Sequence, residues 1–184
     1  MKQEGQPYRK EYVVNIKDLL PLEQWITFEK ELHAKSGLDV SVFNTDGVRI
    51  SNYKEWVNRL CPVIKASNKG QAFICAVAHM NIASQAFQTK APVIEECDAG
   101  LVKLVVPIIM KDVFLGSVGA CGLLLEEGEV DSFMINRTIE IDEEKVDALS
   151  DDIGKISMLD IQNLAEEIRK KVELIITKYE AEKS

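Results

Sequence analysis

The sequence predicts an α+β domain: one antiparallel sheet flanked by helices, with a long amphipathic helix at the C-terminal end. Three observations carry that expectation. Three β-type segments between residues 93 and 125 are separated only by the short turns at Ala99-Gly100 and Lys111-Asp112, which suits antiparallel neighbours. Earlier segments repeat their apolar residues at helical spacing. Finally, Ile161, Leu164, Ile168, Val172, Ile175 and Tyr179 form one stripe whose steps of three and four approach a coiled-coil seam.

In chain order, residues 1–10 are polar, contain Gly5 and Pro7, and are expected to be flexible. Residues 12–16 are a short β-branched stretch, a weak strand or an extended lead-in. From Pro21, residues Leu22, Trp25, Ile26, Phe28, Glu29 and Leu32 predict a helix over 21–36, with Pro21 in its first turn and Ser36-Gly37 as its stop. Residues 38–43 alternate apolar and polar, Asn44-Thr45-Asp46-Gly47 turns the chain, and Val48-Arg49-Ile50 returns, which predicts a hairpin that opens the sheet. Trp56, Val57, Leu60, Val63 and Ile64 fall at helical intervals over 52–67, so Pro62 must sit near a helix start or break the helix. The Ala-rich residues 71–90, with Phe73, Ile74, Val77, Met80, Ile82 and Phe87, predict a well-buried helix ended by Ala91-Pro92.

Strands follow at 93–97, 101–110 and 113–125, the last weakened or bent by Gly116, Gly119 and Gly122. Residues 126–130 are an acidic loop, 132–141 are open between strand and helix, 143–149 form a short helix capped by Asp142, and 160–179 form the long terminal helix. The expected organisation is a flexible 1–10, a compact 11–150 and a helical 151–184, with the boundary near 150–157.

At 184 residues, 46% hydrophobic and 28% charged, the chain has the makings of one globular domain and no room for a second enzyme domain. Its 22 Lys and Arg against 30 Asp and Glu leave a net charge of −8, which repels phosphate backbones and anionic membrane surfaces, so neither nucleic acid nor membrane is an expected partner. The apolar run over 101–110 is far short of the ~20 residues that a membrane helix needs, and the charged start has no apolar signal-peptide core. The expected location is cytoplasmic, where the four cysteines stay reduced.

No phosphate-binding glycine loop, serine-hydrolase elbow or His-Glu-x-x-His motif is present, so no enzymatic activity is expected. His33 falls near the end of the first helix, in a solvent-facing or capping place. The pairs Glu95-Glu96, Glu126-Glu127 and Glu143-Glu144 read as solvated edges. Cys61, Cys75, Cys97 and Cys121 fall on four different elements with no Cys-x-x-Cys pair. Such thiols are either scattered in the core or gathered by the fold into a zinc or iron–sulfur site or a redox switch. Cys75 and His79, four residues apart, share a helix face. Cys97-Asp98-Ala99-Gly100 places a thiol, a carboxylate and a turn between two strands, where Gly100 lets backbone approach a ligand. An enzyme using Cys97 as nucleophile, with Asp98 or His79 assisting, lacks any partner that would stabilise the thiolate. Residues 105–109 are apolar on both faces, as in a strand covered on each side or lining an apolar cavity.

Leu60-Cys61, Gly70 leading to Cys75, Pro92 leading to Cys97-Asp98-Ala99-Gly100-Leu101, Val106-Pro107-Ile108 and Phe114-Leu115-Gly116 resemble, in order and spacing, the PocR-type sensory domain over residues 14–150. The resemblance implies a PAS-like sensor, usually joined to a transcription-factor or histidine-kinase output and proposed to bind simple hydrocarbon derivatives such as short diols. Its matching positions are Cys61, Cys75, Cys97, Gly100, Pro107 and Gly116. The chain departs from the family pattern at Asp98, where members often have His, and at Cys121-Gly122, where they have a Gly-Gln pair. The second departure supplies the fourth thiol.

Taken together, Cys75, His79, Cys97, Asp98, Gly100 and Pro107 are the expected ligand-binding residues, and Cys61, Cys75, Cys97 and Cys121 the expected metal ligands if a metal is held. No helix-turn-helix or kinase motif follows, so the chain reads as a stand-alone sensor or a piece of a larger protein. The terminal stripe either packs back on the sheet or pairs with its twin in a homodimer.

Overall fold

The computed structural model describes residues 14–183, so the expected flexible segment over 1–10 and the Tyr12-Val13 end of the β-branched stretch lie outside the described residues. Ile16 opens a helical turn, α1 (Ile16–Leu19), rather than a strand. The cause is a reciprocal cap: the Asn15 side chain accepts from the Lys17 N–H at 3.2 Å, and the Asp18 carboxylate accepts from the Asn15 N–H at 2.8 Å. Helix α2 (Leu22–Ser36) runs from Pro21 to Gly37, whose φ of 69° admits glycine readily and ends the helix. It buries Trp25, Phe28 and Leu32, and the Trp25 indole N–H donates to the Ile16 carbonyl at 3.1 Å.

Four strands form the main sheet: β1 (Asp39–Phe43), β2 (Val93–Glu96), β3 (Val102–Met110) and β4 (Val113–Cys121). All pairs are antiparallel and the order is β1-β4-β3-β2. The hairpin expected at residues 38–50 is reduced to a turn and one bridge, Phe43 to Arg49. Arg49 turns its guanidinium instead to the Asp39 carboxylate, at 3.0 Å, and β1 takes its ladder from β4.

Alternation along β3 builds two different faces. Val102, Leu104, Val106 and Ile108 join one core with α2 and with α8 (Met158–Lys183), which contributes Ile161, Leu164, Ile168, Val172 and Tyr179. The terminal stripe therefore packs back on its own sheet. Ser157 caps α8, accepting from the Asp160 N–H at 3.0 Å and donating to the Asp160 carboxylate at 2.7 Å. The opposite face carries Lys103, Val105 and Pro107, and α5 (Val77–Thr89) covers it with Ile82, Ala83 and Ala86 packed on Val105.

Helix α3 (Leu60–Ala66), the short α4 (Asn68–Gly70) and a π-helical segment (Gln71–Ala76) lead into α5. Residues 52–59, expected to begin a helix, are irregular. Pro62 falls in the first turn of α3, where its missing N–H forfeits no intrahelical bond. The Ala-rich helix is present, but its first part is a π-helix, with the Val77 N–H on the Ala72 carbonyl, and it is not buried throughout. Phe73 is 65% exposed and Met80 44%, because only the side that meets the sheet is covered.

The open segment at 132–141 settles as α6 (Ser132–Ile139), since the Asp131 carboxylate accepts the Met134 N–H at 2.8 Å. Helix α7 (Glu143–Ser150) follows Asp142, whose side chain makes no capping bond. With α3 they enclose a second core of Leu60, Ile64, Ile74, Leu101, Ile135 and Val146. The strand expected to reach residue 125 breaks after Cys121, and the short β5 (Leu124–Leu125) pairs in parallel with β6 (Lys155–Ile156). Among the described residues no helix is long and apolar enough to cross a membrane.

Candidate functional site

Strand register brings a set of polar residues onto the sheet face under α5. Opposed residues of antiparallel strands point the same way, so Asp39, Cys121 and Lys103 form one row across β1, β4 and β3. Ser41, Gly119 and Val105 form the next, and Phe43, Ser117 and Pro107 the third. From α5, the His79 ring stacks on Phe43, with centroids 3.8 Å apart and planes tilted 31°. Its Nε2 meets the Ser117 Oγ at 3.4 Å. Gly119 leaves room for that ring: a β-carbon there would stand 3.4 Å from His79 Cε1 and 2.9 Å from Phe43 Cε2.

This interior is rich in polar groups that the protein itself does not satisfy. Among the described residues, Asp39 Oδ1, Ser41 Oγ and His79 Nδ1 are buried with no hydrogen-bond partner. Each such group costs roughly 1–3 kcal/mol in a closed core. Lys103, in the same row as Asp39 and Cys121, is only 7% exposed. Burial, then the charges of Lys103, Arg49 and Lys65, pull the His79 imidazole down to about 3, so it is neutral near pH 7. A cavity of about 170 Å³ opens at the Phe43 end, lined by Asn44, Gly47, His79, Met80, Phe87, Phe114 and Ser117. It lies below the ~300 Å³ at which drug-sized sites begin, a scale suited to a molecule of few heavy atoms.

At the Asp39 end lies Cys121, opposite Asp39 in the ladder. Cys61, Cys75 and Cys97 pack on the second core, and Asn58 ties Cys61 to the segment after Cys121. Its amide donates to the Gly122 carbonyl at 2.7 Å and lies 3.3 Å from Cys61 Sγ, while its Oδ1 accepts the Cys61 N–H at 2.7 Å. All four are free thiols. Burial pushes the Cys61, Cys75 and Cys97 thiols up, Cys75 to about 11. The other three thiols raise Cys61 further, whereas Lys65 and Lys103 oppose the rise at Cys75. Protonated thiols of this kind are poor nucleophiles. Among the described residues, no group of three or more His, Cys, Asp or Glu is placed to hold a metal ion.

The expected ligand residues divide between interior and surface. His79 lies inside, and half-buried Pro107 shares the Ser117 row of that sheet face. Cys75 is half-buried on the π segment that leads into α5. Asp98 is exposed, and with Cys97 and Gly100 it lines an open surface groove with Glu129 to Met134. Gly100 has φ of 82°, and the Glu129 backbone approaches it closely. His33 takes a capping place, with Nδ1 2.8 Å from the Leu38 carbonyl.

Sequence reading passed over Asp39, Ser41, Lys103 and Ser117. A signal for them existed: residues 105–109 are apolar on both faces, so the sheet is covered on both sides and polar residues in register with that strand must lie inside.

A family model described as the sensory domain found in PocR matches residues 18–179. No curated protein matches the chain.

Proposed function

Because the chain belongs to the family of the PocR sensory domain, which matches nearly its whole length, we propose that it senses a small polar organic molecule bound between the sheet and α5. The observation that carries this reading is the set of three buried, unpartnered polar atoms between the sheet and α5: Asp39 Oδ1 and Ser41 Oγ on β1, and His79 Nδ1 on the helix. A fold retains such groups at a cost in stability, and a ligand with hydroxyl or carboxyl groups that reaches into this face would offset part of that cost with hydrogen bonds. Of the three residues, His79 lines the small cavity with Gly47, Phe114 and Ser117, whose size suits a short diol or hydroxy acid, while Ser41 and Asp39 lie deeper along the same face.

The same strands connect the guest to α8. Val105 and Lys103 face α5, whereas Val102, Leu104 and Val106 support α8 on the other side. A ligand that prefers one arrangement of β3 and β4 thereby biases the seat of α8, and no chemical reaction is needed. Output to a partner through α8 belongs to the same proposal.

The test is thermal stabilisation by a panel of short-chain diols, alcohols and hydroxy acids. At a hundredfold excess over Kd, a binder stabilises by ~2.7 kcal/mol, which is readily seen as a rise in Tm. Ser41→Ala is expected to unfold at the same or a slightly higher temperature without ligand and to lose much of the ligand-dependent rise. If no compound stabilises the wild type, or Ser41→Ala responds equally, the reading fails.

A further inference from the structure

We propose that two copies of the chain pair antiparallel through the outer face of the π segment and α5, and that this pairing closes the mouth of the small cavity beside His79. The pairing itself does not rest on the small-molecule reading; its effect on a guest does.

The twenty residues between Lys69 and Lys90 include no Asp, Glu, Lys or Arg, in a chain of which 28% is charged. They fold into the π segment and α5, whose outer side exposes Phe73, Val77, Met80 and Phe87. Their exposed neighbours on that side, such as Asn81 and Ser84, are neutral. An exposed apolar strip rimmed by neutral polar residues has the make-up of an interface core. Helix α8 also exposes Leu159 and Leu174, but eleven of its 26 residues are charged, as on a solvated face.

Charge and residue order say what covers the strip. Each copy carries a net −8, so two copies repel where their acidic surfaces meet, and a neutral face is where they can approach. The cations that flank the strip, Lys69 and Lys90, are already paired with Glu140 and Asp112 of their own chain. The order of residues is self-complementary. Counted from Met80, Phe73 lies seven residues before and Phe87 seven after. A two-fold axis at Met80 sets Phe73 of each copy against Phe87 of the other, and Val77 against the small Ser84. Steps of four and three keep all of these on one seam.

That seam runs over the cavity. Met80, Ser84 and Phe87 belong to its lining, and Phe114 packs on Phe87 with ring centroids 5.1 Å apart. Met80 Sδ lies against Gly47 and leaves no room for a β-carbon there. The second copy's Phe73 and Val77 therefore fall across the mouth. Guest binding and pairing then strengthen each other by the same factor.

Sedimentation equilibrium of the full chain over a range of micromolar concentrations tests this, with each variant checked for folding by circular dichroism. Wild type is expected at about twice 20.6 kDa. Phe73→Glu should weaken the dimer roughly a hundredfold or more, because the pair carries the new charge twice. Leu174→Glu on α8 should leave it unchanged. Mixing Phe73→Glu with Phe87→Lys should restore a dimer, and mixing it with Phe73→Lys should not, since the antiparallel register sets position 73 against position 87. A monomeric wild type, a dimer that survives Phe73→Glu or is lost in Leu174→Glu, or any other pattern of rescue overturns the pairing. A diol or hydroxy acid that raises Tm should also tighten the wild-type dimer, and a binder that leaves it unmoved overturns the closure. Stabilisation of a monomer by such compounds would sink this inference alone, and a dimer that none of them stabilises would sink the small-molecule reading alone.

Discussion

The His79 imidazole lies against the bare backbone of Gly119, and a β-carbon there would stand 3.4 Å from its Cε1 and 3.5 Å from its Nδ1. The contact sets the depth to which α5 settles on the sheet, since the same added carbon would approach Phe43 Cε2 at 2.9 Å.

Gly119→Ala is therefore expected to push the stacked pair outward. The cost should be about 1–3 kcal/mol, the usual range for overpacking a filled core, read from urea denaturation at unchanged m-value. Gly37→Ala, at a helix end with open space around it, has no such neighbours to displace, and only its backbone is strained.

His79 also gives the stability a pH signature. Its folded pKa, about 3, is below the ordinary 6.5, so the unfolded chain takes up a proton that the folded one refuses. The contribution is fully present above 6.5 and is lost as pH falls toward the folded value. The slope should reach at most about 1.4 kcal/mol per pH unit and should vanish from this residue in His79→Gln. Denaturation at a series of pH values for both proteins checks this.

Glu29 works in the opposite sense. Fully buried on α2, its carboxylate accepts the Val42 N–H at 2.7 Å and the Ser51 hydroxyl at 2.6 Å, tying α2 to β1. Burial raises its pKa above the ordinary 4.5 in spite of these bonds. Its stabilising share is thus complete below 4.5 and declines as pH rises through the folded value. Glu29→Gln should flatten that part of the profile. Glu29→Ala leaves the Val42 N–H unpaired and should cost ~1–3 kcal/mol.

Ile168→Lys decides what the α8 stripe does. Ile168 is wholly buried in the core shared by α2, α8 and the sheet. The substitution should destabilise the monomer by roughly 4 kcal/mol or more, an unpaired charge in a filled core. Circular dichroism and thermal melting read the outcome. A stable, well-folded variant with only an altered mass in solution would place the stripe in a dimer seam instead.

Much of this architecture is legible in the sequence, where a pattern has one physical solution. The Ile161 to Tyr179 stripe and the closely spaced strands of 93–121 are such cases, because helical and two-residue periods cannot be exchanged. Residues 48–50 misled because the turn Asn44 to Gly47 forms as expected, yet the arm after it pairs at a single bridge and sends Arg49 to Asp39. The candidate site was harder to read. Asp39 and Ser41 alternate with apolar neighbours as residues on a wet face do, and only the cover supplied by α5, more than thirty residues away in sequence, turns that face inward. Asp98 and Gly100 show how little a turn reveals, since a carboxylate and a glycine there read alike in sequence whatever surrounds them, and the fold sets Gly100 against the Glu129 backbone with Asp98 in an open groove.

The most direct test of the sensory reading is a pair of amide NMR spectra of the full chain, without ligand and with a saturating amount of the compound that raises Tm most in the diol and hydroxy-acid panel. Shifts are expected to concentrate at Ser41, Phe43, His79, Ser117 and Gly119, with a second, smaller set along α8. Shifts confined to the open groove between Lys35 and Glu167 on the far side of the sheet, or none at all at those five residues, would contradict it.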